Sequence, residues 1–174
     1  WFAENLRTTK YLNGDPITER NDDAFWDGDA NQTEGAWGFG FNDPLHGDIH
    51  GLLYNHLVVE DLRNICPSGW NVPSWNDFVK MSNHFGGLDQ LGMQMKSDDQ
   101  VFGWDSNSIH HDNTGFRALR SGVRAFGTVI DRTDWNIRLP LLAVTLTTSR
   151  ALELQTMANN PNYGRSIRCI KNSE

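Results

Sequence analysis

Cysteine is scarce: Cys66 and Cys169 are the two in the whole chain. Two thiols so far apart make a poor metal site, which needs about four ligands gathered at one point. They read better as one long-range bridge, which implies an oxidising compartment, with two reduced buried thiols as the other reading. A bridge would close a loop of about 100 residues, and the loss of loop entropy from the unfolded chain would then stabilise the fold by ~4.7 kcal/mol. Long apolar runs are missing too. The longest, 139–144, contains Pro140 and falls far short of the ~20 residues that a membrane span needs. No membrane insertion by this domain is expected. No export signal is visible, but the chain opens on Trp1 rather than Met. Its numbering is expected to begin after an export signal or at an artificial boundary, so that absence carries no weight.

Positive charge is in deficit. Lys and Arg number 15 against 22 Asp and Glu, a net charge of -7, which argues against a nucleic-acid partner because such binding rests on neutralising phosphates. Arg117, Arg120 and Arg124 lie close together in the sequence and read as a solvated face. No Gly-x-Ser-x-Gly elbow and no phosphate loop is present. No tandem repeat and no linker divides the chain, so residues 1–174 are expected to form a single domain.

What is present points to α+β. Ser74 followed by Asp77 is a capping-box pattern and predicts a helix over 74–85. Trp75, Phe78, Val79 and Phe85 share one helical face, and Gly86-Gly87 supplies a stop. Strands are expected at 116–124, 128–130, 141–147, 151–157 and 166–170. Residues 18–35 and 92–112 read as long polar loops. Short hairpin strands with one clear helix give the class.

Chemistry-bearing residues are few. Asp27, Asp29, Asn31 and Thr33 follow the odd positions of an EF-hand loop. Gln32 and Gly38 stand where that loop needs a glycine and a bidentate glutamate, so an acidic surface loop is the plainer reading. His46-x-Asp48-x-His50 and His110-His111-Asp112 have ligand chemistry for zinc or iron but are expected in loops, and no metal is assigned to them. Seven tryptophans are the stronger lead. Trp70 and Trp75 are expected in the core. Trp26, Trp37, Trp104 and Trp135 lie in or beside loops, where an indole can stack on a sugar or anchor a protein partner. Glu153 and Gln155 alternate along one strand and so share a face.

Five stretches, in order, carry a resemblance. They are Trp1-Phe-Ala-Glu-Asn-Leu-Arg-Thr-Thr-Lys-Tyr11, Gly51-Leu-Leu-Tyr-Asn55 and Cys66-Pro-Ser-Gly-Trp-Asn-Val-Pro-Ser74, then Gly115-Phe-Arg-Ala-Leu119 with Gly122 and Arg124, and Tyr163-Gly-Arg-Ser-Ile-Arg-Cys-Ile-Lys171. Together they cover nearly the whole chain, which resembles the Fibrobacter succinogenes major paralogous domain, a family of bacterial surface and secreted proteins. The resemblance implies a C-type lectin-like fold, an extracellular or cell-surface location, and a Cys66–Cys169 bridge from the helical half to the last strand. It further implies recognition of a glycan or protein ligand without catalysis, and without a resident cofactor. Calcium stays open at the Asp27 loop. The Trp75-Asn76-Asp77 string found in sugar-binding lectins sits at a helix start here and has no Glu-Pro-Asn partner, so it is not read as a calcium site. Formylglycine-generating enzymes have a related fold, but their chemistry needs reactive cysteines, which the bridge would consume.

The family pattern breaks at Trp135-Asn-Ile-Arg-Leu-Pro140, where relatives carry an aromatic pair followed by small hydroxyl residues. Related folds also serve as the variable proteins of diversity-generating retroelements, which randomise this C-terminal surface. The ligand site is therefore expected at Trp135, Asn136, Arg138, Glu153, Gln155, Asn159, Asn160 and Tyr163, with Trp104 from the long loop. The competing reading is a metal-dependent enzyme or accessory module for polysaccharide breakdown, centred on His46 and His50. A structural spacer is the third.

Overall fold

The structure is a computed structural model, and it describes residues 1–27, 31–98, 104, 112–125, 128–130, 135–139, 142–146, 152–156 and 162–172. Small sheets and short helices alternate along the chain. Strand β1 (Thr18–Glu19) runs parallel to β2 (Ala36–Gly38), which pairs antiparallel with β3 (Leu53–Tyr54). Between β2 and β3 lies helix α1 (Pro44–His50). The Asp43 carboxylate caps it by accepting from the Leu45 N–H at 3.0 Å, and Pro44 takes the first turn, where no N–H is needed. Helix α2 (His56–Glu60) follows β3.

Strand β4 (Trp70–Asn71) leads into α3 (Trp75–His84). The predicted helix over 74–85 is this one, within a residue at each end. Asp77 accepts from both the N–H and the hydroxyl of Ser74, at 2.8 and 2.7 Å. Helix α4 (Leu88–Met95) comes next, and its residues 92–95 are helical where the loop over 92–112 was expected to begin. Its Leu91 and Met95 pack with Phe78 and Met81 of α3, joined by Trp104, Phe116 and Ala118. Strands β5 (Val123–Ala125) and β6 (Thr128–Ile130) pair as an antiparallel two-stranded sheet.

A second core cluster lies under β2 and β3. It gathers Leu6, Tyr11, Trp37, Tyr54, Ile65 and Ile167 around the two half-cystines. Cys66 and Cys169 are bonded, with Cα atoms 6.0 Å apart and a sequence separation of 103. Just beyond them β10 (Ile170–Lys171) pairs antiparallel with β4. The N-terminal segment lies along the same C-terminal stretch, with Phe2 and Leu6 donating to the carbonyls of Cys169 and Ile167 at 2.9 and 2.8 Å.

The described residues of 18–35 lie largely at the surface, as their polarity suggests, with one exception. Trp26, in a single 3-10 turn (Asp23–Trp26), is fully buried. Its indole N–H donates to the Arg20 carbonyl at 2.8 Å. Gly164 lies flat against the ring, where a Cβ would approach Cζ3 to 2.8 Å.

Arg124 lies over the Trp26 ring, 1% exposed. It donates to the carbonyls of Arg20, Asn21 and Phe39 and to the Asp23 carboxylate, at 2.9–3.3 Å. One guanidinium thus holds three separate backbone positions, a task that its five-donor fork suits. The Arg117, Arg120 and Arg124 group is therefore not one solvated face.

Candidate ligand-binding face

Three strands form the C-terminal sheet: β7 (Trp135–Leu139), β8 (Leu142–Leu146) and β9 (Leu152–Thr156), antiparallel in the order β7-β8-β9. The strands at 141–147 and 151–157 were legible in the sequence, whereas β7 was not assigned. Each strand alternates apolar and polar residues, and the register decides whether those alternations reinforce or cancel. Asn136 stands opposite Thr145, and Thr145 opposite Glu153; Arg138 stands opposite Ala143, and Ala143 opposite Gln155. Residues directly opposite in a ladder share a face. One face therefore carries Asn136, Thr145 and Glu153 in one row and Arg138, Ala143 and Gln155 in the next-but-one.

The alternate rows carry Trp135, Leu146 and Leu152, then Ile137, Val144 and Leu154, then Leu139, Leu142 and Thr156, and belong to the other face. The three alternations reinforce, and the sheet has one polar and one strongly apolar side. At its two edges β9 lies near α4 and β7 near α2.

Four of the expected site residues, Asn136, Arg138, Glu153 and Gln155, thus come together on one face. Trp135 does not join them, because adjacent residues of a strand alternate sides. Tyr163 is half-buried, with the Arg165 guanidinium 5.5 Å from its ring centre. Trp104 belongs to the core rather than to a ligand surface. It is 5% exposed, its indole N–H donates to the Ala118 carbonyl at 2.8 Å, and the Lys96 ammonium lies 4.4 Å from its ring. Asn159 and Asn160 lie outside the described residues.

The histidine string is helical rather than loop. His46 and His50 stack one turn apart on α1 at 4.3 Å between ring centres. Asp48, two residues along, lies about 200° around the helix from His46 by helical periodicity. Among the described residues no group of three His, Cys, Asp or Glu side chains is placed to hold a metal ion. His110 and His111 lie outside the described residues, as does Asp29 of the acidic string. Both cysteines are in the bridge, so no thiol is available as a nucleophile.

Buried cations are what sequence reasoning missed. Arg165 and Arg168 are 4% and 1% exposed. Burial pulls their pKa down, to about 10 and about 9, which keeps both cationic at neutral pH. Arg168 spans the two halves of the domain, donating to the Asn5 side-chain oxygen and to the Phe116 carbonyl. An arginine in an otherwise apolar strand sequence, as in Ser166-Ile-Arg-Cys-Ile170, is the sequence signal for such a role.

These features define a small α+β domain closed by one long-range disulfide, with an amphipathic antiparallel sheet near its C-terminal end. The family model described as Fibrobacter succinogenes major domain matches residues 1–171, and the chain belongs to that family. No curated protein and no solved structure matches it.

Proposed function

We propose that this chain is a non-catalytic recognition domain of a bacterial surface or secreted protein, with a C-type lectin-like fold, and that it binds a glycan or protein ligand on the polar face of the β7-β8-β9 sheet. The observation that carries this reading is the register, which gathers Asn136, Arg138, Glu153 and Gln155 on one side. That face offers amide, guanidinium, hydroxyl and carboxylate groups, the donors and acceptors that polar recognition needs. A lectin-like fold is supported by the bridge from the last strand to the segment before α3, and by the pairing of the chain's first and last described segments. An extracytoplasmic location is supported by the disulfide. Among the described residues no helix is long and apolar enough to cross a membrane. No resident cofactor is needed for this binding, although calcium at the acidic 27–33 string is compatible with it. Sequence variation of the diversified kind would fall on this sheet.

The test is an array of glycans and bacterial surface proteins probed with the domain, followed by titration of each hit against variants. Arg138→Ala/Gln155→Ala removes two groups of one row. Each lost hydrogen bond is worth about 0.5–1.5 kcal/mol, so binding should weaken roughly tenfold or more. Trp135→Ala, on the other face, should lower Tm while leaving Kd near its original value. Unchanged binding by the folded double variant rejects the site. Failure of the folded domain to bind anything on the array favours a structural spacer.

A further inference from the structure

We propose that the cavity walled by Asn5, Arg7, Arg117 and Arg168 is a binding site for a small carboxylate anion. The cavity has a volume of about 90 Å³, well below the roughly 300–1,000 Å³ of sites that enclose a drug-sized ligand. It suits a short acid, or the acid end of a larger molecule whose remainder stays outside. Its described lining residues come from outside β7, β8 and β9, so this site does not rest on the reading of that sheet.

Charge selects an anion. In a chain whose net charge is -7, the described lining carries three guanidiniums, Arg7, Arg117 and Arg168, against one carboxylate, Glu4. All three act on that carboxylate. Arg7 is paired with it. The hydrogen bond and charge of Arg7, then the charges of Arg117 and Arg168, hold the Glu4 carboxyl below its ordinary range. Glu4 is therefore ionised at neutral pH and offsets one positive charge of the three. Glu4, Arg7 and Arg117 are exposed and lie at the mouth, whereas Asn5, Ser97 and Arg168 are buried and form the floor. Guanidinium forks match the planar carboxylate. Ala3, Ile49 and Leu119 also line the cavity. They offer the carbon chain of an acid an apolar contact that sulfate and phosphate cannot use. Glu4 repels a dianion more than a monoanion.

The buried cation on the floor points the same way. Arg168 is 1% exposed. The Asn5 Oδ1 accepts from its Nε and Nη2 at 3.1 and 2.8 Å, and the Phe116 carbonyl accepts from its Nη1. Those acceptors are neutral. Burial lowers the pKa of Arg168, and the charges of Glu4 and Asp112 offset that lowering only in part. Of these two carboxylates Glu4 lines the cavity. A ligand carboxylate entering beside Glu4 would supply further negative charge where burial disfavours the cation.

The experiment is an amide-resolved NMR titration of the domain with sodium acetate into the millimolar range. Sodium chloride and sodium sulfate at matched ionic strength are the anion controls, and acetamide is the uncharged isostere. Saturable shifts are expected at Asn5, Ser97, Arg117 and Arg168 with acetate. Sodium glucuronate is a further arm: binding as tight as that of acetate assigns the acid group of a sugar, and weaker binding assigns a short free acid. Arg168 is left intact because it holds Asn5 and Phe116 in place. Arg117→Gln, at an exposed position, should fold normally and weaken acetate binding roughly twofold to fivefold. Glu4→Gln removes the repelling carboxylate and should strengthen it by a similar factor, a gain that mere loosening of the fold would not give. No saturable shifts with acetate, shifts centred elsewhere, an equal response to chloride, sulfate or acetamide, or affinity unchanged in both variants each overturn the proposal.

Discussion

Removing the disulfide should bring this domain close to its folding limit. The Cys66–Cys169 bond joins positions 103 apart. For a loop of that size the entropy withheld from the unfolded chain is about 16 cal/mol/K, or ~4.7 kcal/mol at 25 °C. Both half-cystines are fully buried within an apolar cluster, so truncation to alanine adds a packing loss of about 1 kcal/mol. The sum, about 5–6 kcal/mol, is comparable to the whole stability of many domains. In a chain of this length it corresponds to a fall in Tm of roughly 10–20 °C.

The assay is urea unfolding of three species: oxidised wild type, wild type reduced with a phosphine, and Cys66→Ala/Cys169→Ala. Reduced wild type keeps both sulfurs in the core, so it isolates the loop term, and the double variant adds the packing term. The slope of free energy on urea should rise when the bridge is lost, since the uncrosslinked chain exposes more surface. If oxidised and reduced wild type differ by less than about 1 kcal/mol, the reasoning fails. The β4-β10 pairing and the N-terminal hydrogen bonds would then be what closes the domain.

Two further outcomes are expected. Arg124→Met should cost roughly 3 kcal/mol or more by urea melt, since three carbonyls lose a buried donor; Arg124→Lys should not restore it, because one ammonium cannot reproduce the fork. A lysine variant as stable as wild type would refute that role. Asp61 gives a pH signature. Hydrogen bonds from Arg63 hold its carboxyl down at about 2, below its unfolded value of about 3.9. The unfolded state therefore binds the proton first, and the stabilisation is present above about pH 4 and lost as pH falls through about 2. The gap in urea midpoint between wild type and Asp61→Asn should be wide at pH 6 and narrow towards pH 2; an equal gap at both would reject the linkage.

The parts legible in the sequence were those fixed by local chemistry. Ser74 and Asp77 define the start of α3 within a few residues, with no distant partner required. The strands at β8 and β9 show in their own composition. The family resemblance correctly implied the pairing of the cysteines. What stayed hidden depends on partners far along the chain. Trp26 sits in an acidic stretch that reads as loop, and only the packing of Gly164 and the approach of Arg124 make its place a core position. Helix α1 carries Gly, Pro and two histidines, poor helix formers, and its start is set by the Asp43 cap. Trp104 was expected to face a ligand because its neighbours are polar, but the Ala118 carbonyl and α4 hold it inside. The face shared by Asn136, Arg138, Glu153 and Gln155 depends on a register that no single strand specifies. One strand's alternation says which residues go together, and only cross-strand pairing says which sets coincide. The same register separates Trp135 from Asn136 and Arg138.

The frame holds both ends of the proposed recognition region independently of that region's own sequence. Arg124 and Gly164 exchange backbone hydrogen bonds at 3.0 and 2.9 Å, although they lie forty positions apart in sequence. The chain therefore makes an excursion that starts and closes at one place, and the β7-β8-β9 sheet, with its edges near α2 and α4, lies within it. On either side of that point the ends are held independently. The Arg124 guanidinium clamps the segment before it to residues 20–39. The Tyr54–Arg165 bridge, the Arg168 contacts and the disulfide clamp the segment after it. Closure entropy grows only logarithmically, so doubling the length of such an excursion costs about 0.6 kcal/mol, little beside the ~4.7 kcal/mol assigned to the bridge. Changes at Asn136, Arg138, Glu153 and Gln155 should thus register as changes in what is bound before they register as loss of the frame, whereas changes in the apolar rows, such as Trp135→Ala, should lower Tm. Trp135-Asn-Ile-Arg-Leu-Pro140 falls inside that excursion, whereas the five stretches that carry the family resemblance lie outside it.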